Sequence, residues 1–83
     1  EKMKIQLRAF AVYRELLGQS EKELEVAVGA TVKNVFDLLF GEHPEAEKME
    51  RSTLFAVNRQ YVKATTELNE GDELSLLPPV AGG

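Results

Sequence analysis

A strict alternation of apolar and polar side chains near the start of the chain limits what it can fold into. Over residues 3–9, every polar residue is flanked by apolar ones, which are Met3, Ile5, Leu7 and Ala9. A period of two indicates a β-strand with one buried face and one solvated face. We therefore expect a sheet that is covered on one side by another layer.

Helical spacing follows in two places. Residues 11–17 form a short helical pattern, and Gly18 stands where a C-terminal cap is expected. Thr31 is a good N-cap for a second, main helix because its hydroxyl can accept a bond from a free backbone N–H. Gly41 is expected to end that helix. Its apolar residues at helical spacing are Val32, Val35, Phe36 and Leu39.

The remaining strands are predicted from short β-favouring runs. They are residues 23–28, 54–58, 61–62 and 74–77. Residues 58–60 suit a tight turn, and Gly71 takes the left-handed position of a second turn. Residues 42–52 are polar and include Pro44, which predicts a solvated loop with at most one helical turn.

The order of strand, helix, strand, main helix and further strands is typical of an α+β fold. We expect a small mixed sheet with one face on the main helix and the other face largely polar. A chain of 83 residues leaves room for one domain, predicted over residues 3–77, with a tail over residues 78–83. Cysteine is absent, which excludes disulfides, thiolate metal sites and a thiol nucleophile and fits a cytoplasmic protein.

Composition and motifs argue against an independent enzyme. The net charge of −4 disfavours nonspecific nucleic-acid binding, and no run is long and apolar enough for a membrane span. Neither a phosphate-binding glycine loop nor a Gly-x-Ser-x-Gly motif is present. His43, the single histidine, and the acidic residues of the 42–52 loop are interpreted as solvated surface. No metal site is predicted.

The end of the chain is its most unusual feature. Residues 78–83 read Pro-Pro-Val-Ala-Gly-Gly and extend to at most roughly 20 Å. One interpretation is an inert, frayed terminus. The other is a slender functional end, in which Pro78 and Pro79 stiffen the root. Gly82 and Gly83 lack Cβ atoms and can enter a narrow channel.

Two apolar residues break the alternation of their strands. Phe10 shares parity with polar Arg8, and Leu77 shares parity with polar Ser75. If the first and last strands pair, both residues lie near the root of the tail. Either a bend turns them inward, or they form an exposed apolar patch that docks a partner.

Three runs of residues resemble the small subunit of molybdopterin synthase. The first is Phe10-Ala11-x-x-Arg14-Glu15-Leu16, near the start. The second runs from Leu68 through Gly71-Asp72-Glu73 to Leu74, and the third is Leu77-Pro78-Pro79-Val80-Ala81-Gly82-Gly83. The run Asn58-Arg59-Gln60-Tyr61-Val62 adds to the similarity, which covers essentially residues 3–83.

The resemblance implies a ubiquitin-like β-grasp fold and a sulfur-carrying function in molybdenum cofactor biosynthesis. An ATP-dependent adenylating enzyme would activate the Gly83 carboxylate as an acyl-adenylate, and a sulfur donor would convert it to a thiocarboxylate. The large synthase subunit would then accept the tail, and sulfur would pass to cyclic pyranopterin monophosphate. The chain itself would be non-catalytic and would bind no cofactor, because ATP is used by the activating enzyme.

By the same resemblance, the inserted tail is Pro78, Pro79, Val80, Ala81 and Gly82. The partner-binding residues are Phe10, Arg14, Tyr61 and Leu77. Three alternatives stay open at this stage: a sulfur carrier for thiazole synthesis, a ubiquitin-like protein modifier, and an interaction domain with an inert tail.

Overall fold

The computed structural model describes residues 1–79, so the predictions for Val80, Ala81, Gly82 and Gly83 lie outside the described residues. Five strands and three helices are present in the described part. In chain order they are β1 (Lys2–Ala9), α1 (Val12–Leu17), β2 (Glu21–Ala27), α2 (Val32–Phe40), α3 (Ala46–Ser52), β3 (Leu54–Val57), β4 (Gln60–Val62) and β5 (Glu73–Leu77). None of the helices within residues 1–79 has the length and apolar character needed to cross a membrane.

The strands form one mixed sheet in the order β2-β1-β5-β3-β4. The central pair, β1 and β5, is parallel, with Gln6 opposite Glu73 and Ala9 opposite Leu76. All other pairs are antiparallel. The pairing of the first and last strands, assumed in the sequence analysis, is therefore confirmed.

The core lies between one face of the sheet and α2. The apolar residues of the alternating run in β1 are all buried, as the period of two predicts. From α2, Phe36 packs against Phe40 and Phe55 with ring centroids 5.1 and 5.8 Å apart. The sequence prediction placed Leu39 on this side of α2, but Leu39 is only partly buried and the neighbouring Phe40 takes the buried position.

The predicted ends of α1 and α2 are confirmed. Gly18 adopts a left-handed conformation with φ of 79° and caps α1. Thr31 accepts a hydrogen bond from the Asn34 backbone N–H at 3.2 Å, while the Asn34 side chain accepts one from Thr31 N–H at 2.9 Å. This reciprocal capping box fixes the start of α2. Gly41 ends the helix in a right-handed conformation.

Two boundaries differ from the prediction. Residues 46–52 form a seven-residue helix, α3, rather than a loop with at most one turn. Its Met49 packs against the core, which supplies burial that the polar sequence does not indicate. Strand β2 begins at Glu21, two residues before the predicted start, because it pairs along β1 as far as Arg8. Val28 lies outside the strand and is exposed.

Two tight turns set the register of the β3–β5 region. Asn58 and Arg59 form a two-residue hairpin loop between Val57 and Gln60, and both have positive φ. Such a turn matches the twist of antiparallel strands. Gly71 has φ of 83°, so the left-handed position predicted for it is confirmed. Its N–H donates to the Lys4 carbonyl, which holds this turn against β1.

Candidate functional site

The face of the sheet turned away from α2, here the outer face, has two different halves. Over β1 and β2 it is charged, with Lys4 opposite Glu25 and Gln6 opposite Glu23. Over β3, β4 and the end of β5 it carries mainly apolar side chains. The prediction of a largely polar second face is therefore wrong for this half, because β3 has apolar residues on both of its faces.

Phe10 and Leu77 lie side by side at one end of the apolar half. The Phe10 N–H donates to the Leu76 carbonyl at 3.3 Å, which extends the parallel β1–β5 ladder by one step. The chain then turns sharply at Ala11, a non-glycine residue with φ of 52°. Phe10 and Leu77 are both partly buried on the outer face. The inward turn considered in the sequence analysis therefore does not occur.

Three further residues complete this apolar surface. Leu54 pairs with Leu77 across the β3–β5 ladder, and Tyr61 pairs with Ala56 across the β3–β4 ladder. Ala56 is buried, whereas Tyr61 is 73% exposed. We call Phe10, Leu54, Ala56, Tyr61 and Leu77 the docking patch. An exposed aromatic ring in a contiguous apolar surface is typical of a protein-binding site.

Two polar residues of the outer face adjoin the docking patch at its border with the charged half. Ser75 lies between Arg8 and Ala56 in the sheet register and is buried. The Arg8 guanidinium lies over the Phe10 ring, with its central carbon 5.2 Å from the ring centroid. This distance is within the range of a cation–π interaction.

The tail leaves the sheet at the edge of the docking patch. Pro78 directly follows Leu77 and is partly buried, and Pro79 is exposed. Neither proline can donate a backbone hydrogen bond, so the ladder ends at Leu77. The docking patch and the tail predicted from the sequence therefore meet at Leu77.

Other residues singled out in the sequence lie elsewhere. Arg14 is exposed on α1, and its side chain forms no ion pair within residues 1–79. His43 accepts a hydrogen bond from the Glu45 N–H at 3.0 Å, in the loop before α3. Within the described part of the chain, no three histidine, cysteine or carboxylate side chains come together to hold a metal ion.

A groove of about 400 Å³ opens at the opposite end of the sheet, between the end of β2 and α2. Val28 and Leu38 border it, and Lys2 and Glu25 contribute the charges. It lies beside Lys2, at the start of β1, whereas the docking patch adjoins the end of β1. The groove and the tail root are therefore separate surfaces.

Sequence reasoning missed Leu54 and Ala56 as members of the docking patch. The available signal was the unbroken apolar run Leu-Phe-Ala-Val in β3. A continuous apolar run in a strand indicates either that both faces are buried within the protein, or that one face is an apolar surface that binds another molecule.

Comparison with known proteins gives a consistent result. Residues 7–83 match the model of the ThiS family. The molybdopterin synthase sulfur carrier subunit of Chlamydomonas reinhardtii is 31% identical over 83 residues, which cover 98% of this chain and 100% of that protein. Small archaeal modifier protein 3 of Haloferax volcanii is 33% identical over 92 residues and is matched over 98% and 100% of the two lengths.

Among solved structures, a complex of subunits 1 and 2 of the molybdopterin-converting factor from Helicobacter pylori contains a similar chain. It is 26% identical with a TM-score of 0.64, and the match covers 98% of this chain and 100% of that one. The five-stranded mixed sheet on one main helix is the ubiquitin-like β-grasp arrangement. The fold class predicted from the sequence is confirmed.

Proposed function

Because this chain belongs to the ThiS family, we propose that it carries sulfur for a molybdopterin synthase as a thiocarboxylate on Gly83. The full-length similarity to sulfur carrier subunits supports the proposal. The structural observation that carries it is the position of the docking patch at the root of the tail. A sulfur carrier needs both a surface that holds its partner and a narrow end that enters it.

The proposed chemistry begins with a poor electrophile, the Gly83 carboxylate. A carboxylate oxygen attacks ATP, pyrophosphate leaves, and an acyl-adenylate forms. Sulfur supplied by the donor as hydrosulfide then attacks the acyl carbon, AMP leaves, and a thiocarboxylate remains once the sulfur loses its proton. The sequence has no phosphate-binding glycine loop. An adenylating enzyme must therefore bind ATP and stabilise the developing charge.

The second proposed partner is the large synthase subunit. The Helicobacter pylori complex of two converting-factor subunits supports pairing of this kind. The docking patch binds the large subunit, and Pro78 to Gly83 reach its active site. Sulfur then passes to cyclic pyranopterin monophosphate, and two such transfers supply both sulfurs of the dithiolene. We also propose that Arg14 contacts a partner, as the family resemblance implies.

Intact-mass spectrometry tests the carrier step directly. The chain is incubated with ATP, the matching adenylating enzyme and a sulfur source. We expect a mass increase equal to one oxygen-to-sulfur exchange, mapped to Gly83, and no change in a control chain that lacks Gly83. Conversion of the pterin precursor with the large subunit then separates this pathway from thiazole synthesis. An unchanged mass with a competent enzyme would overturn the proposal.

The similarity to a small archaeal modifier protein favours a second function, the modification of other proteins. The same acyl-adenylate would then react with a lysine amine to form an isopeptide bond. Expression of a tagged chain in cells, followed by peptide mass spectrometry, distinguishes this function. Lysine peptides joined through an isopeptide bond to a C-terminal peptide that ends in Gly83 would establish the modifier, and their absence would favour the sulfur carrier only.

A further inference from the structure

Arg8 occupies an unusual position for a charged residue. It is partly buried on the outer face, at the border between the charged half of the sheet and the docking patch. Its guanidinium lies over the ring of Phe10, a member of the docking patch. The side chain thus adds a fixed positive group to an otherwise apolar surface.

Within residues 1–79, no carboxylate neutralises this charge. Glu21 stands opposite Arg8 in the β1–β2 register, but the two side chains form no ion pair. The Arg8 side chain also forms no hydrogen bond with the described residues, whereas Gln6, two residues earlier, bonds to its own cross-strand partner Glu23. The planar donor groups of Arg8 are therefore available to another molecule.

We propose that Arg8 binds a carboxylate side chain of the large synthase subunit and so helps to select this partner. The inference rests on the proposed function, because it assumes that the docking patch binds that subunit. Docking over Phe10 would remove water from the neighbouring guanidinium. An arginine that loses water without gaining an acceptor weakens an interface, so a partner that binds here should supply one, and a carboxylate would also neutralise the charge.

Arginine suits this role for two physical reasons. Its fork of N–H donors can bind both oxygens of one carboxylate, which fixes the direction of approach. Stacking on Phe10 also restrains the side chain before binding, so less conformational freedom is lost when the complex forms. The aromatic ring and the charge would then act together as one recognition element.

Affinity measurements on full-length variants with the purified large subunit test the inference. Arg8→Met keeps an apolar stem over Phe10 but removes the charge, and we expect it to weaken binding about tenfold. Arg8→Lys keeps the charge but loses the bidentate fork and the planar stacking, so its affinity should lie between those of the unchanged chain and Arg8→Met. The salt dependence of binding should be shallower for Arg8→Met than for the unchanged chain.

Arg59→Met is the matched control because it also removes one arginine. Arg59 lies at the β3–β4 turn with its side chain 82% exposed, at the end of the sheet away from the tail root. Its removal should leave the affinity nearly unchanged. Thermal unfolding of each variant checks that the fold is retained.

Three outcomes would overturn the inference. If Arg8→Met binds as tightly as the unchanged chain, the proposed function stands and the role of Arg8 falls. If Arg8→Lys loses as much affinity as Arg8→Met, and both variants keep the salt dependence of the unchanged chain, Arg8 acts by stacking on Phe10 and not through its charge. If the unchanged chain itself does not bind the large subunit, both the proposed function and this inference fail.

Discussion

Asn58 joins two separate turns through both ends of its side chain. Its amide nitrogen donates to Asp72 at 2.9 Å, and its amide oxygen accepts from the Glu73 N–H at 3.0 Å. The Asn58 N–H also donates to the Glu73 carbonyl. This residue therefore locks the β3–β4 hairpin to the start of β5. Two residues of the Gly71-Asp72-Glu73 run, which is part of the family resemblance, thus have a structural role at this junction.

Asn58→Ala should lower the free energy of unfolding by about 1–2 kcal/mol. Two side-chain hydrogen bonds are lost, and alanine is less well suited to the positive φ of this position. Urea denaturation measures the change. Asn69→Ala is the matched control, because Asn69 contacts Asp72 only through its backbone N–H and backbone carbonyl, and the substitution should change stability by less than about 0.5 kcal/mol. Equal effects of the two substitutions would refute the role given to the Asn58 side chain.

Leu77→Arg should weaken binding of the large subunit at least about tenfold while lowering stability by less than about 1 kcal/mol. The physical reason is that a charge within the docking patch must lose water when the partner binds. Leu38→Arg provides the control, since Leu38 is 67% exposed on α2 and lies outside the docking patch. Binding is measured by calorimetry and stability by thermal unfolding.

Phe10→Arg should behave as Leu77→Arg does, because Phe10 lies beside Leu77 on the outer face. A loss of folding in either variant would contradict the assignment of that residue to a docking surface and would place it in the core.

At the scale of whole elements, Lys33 connects α2 to α3. Its ammonium group lies 2.8 Å from Glu50 on α3 and 3.4 Å from Asp37 on its own helix. The hydrogen bond that the Lys33 ammonium donates to Glu50 raises the pKa of Lys33 above its ordinary value of 10.5, and Asp37 acts in the same direction, while desolvation opposes them. The charged form is thus favoured in the folded state.

A pH dependence follows from this raised pKa. Because the folded state holds the Lys33 proton more tightly, the stabilisation is complete below about pH 10.5 and is lost as the pH rises through the folded pKa. The difference in stability between the unchanged chain and Lys33→Met should be small, constant from pH 7 to 9, and smaller still above pH 10.5. Urea titrations at each pH measure it. A difference that grows at high pH would contradict the ion pair.

How well the elements could be predicted depended on where their stability comes from. Strand β1 and helix α2 were predictable because their buried residues repeat with the period of the element and because Thr31 caps the helix. Helix α3 was missed because its start has no side-chain cap and its sequence is largely charged. Its tertiary contacts, through Met49 and Lys33, are not visible in a local pattern.

The candidate site was predictable only in part, for a related reason. Phe10 and Leu77 could be identified because the sequence alone shows which residues of a strand share a face, and these two apolar residues fall on the polar face of their strands. Placing Leu54 and Ala56 beside them requires the pairing of β3 with β5, which is a contact between distant parts of the chain. The shared parity of Arg8 and Phe10 places them on one face of the sheet, which the sequence shows. That the guanidinium stacks on the Phe10 ring is seen only in the structure.

At the scale of the whole molecule, the length of the tail should matter more than its detailed contacts. We expect the addition of one residue after Gly83 to abolish sulfur transfer and to leave the unfolding midpoint unchanged. The added residue would move the reactive carboxylate away from the acyl-transfer position, and Gly82→Ala should have the same effect by adding bulk in a narrow channel. Transfer is measured with the large subunit, and full activity of the extended chain would contradict the carrier mechanism.

The parallel pairing of β1 with β5 also has a mechanical consequence. Because the two central strands run in the same direction, Lys2 and Leu77 lie at opposite ends of the sheet. A force that pulls these two residues apart acts along the strands and loads the β1–β5 hydrogen bonds together in shear. They cannot open one after another, as in an unzipping hairpin. A partner that pulls on the tail while Lys2 is held would therefore load the β1–β5 pair in shear, the direction in which paired strands resist separation most strongly.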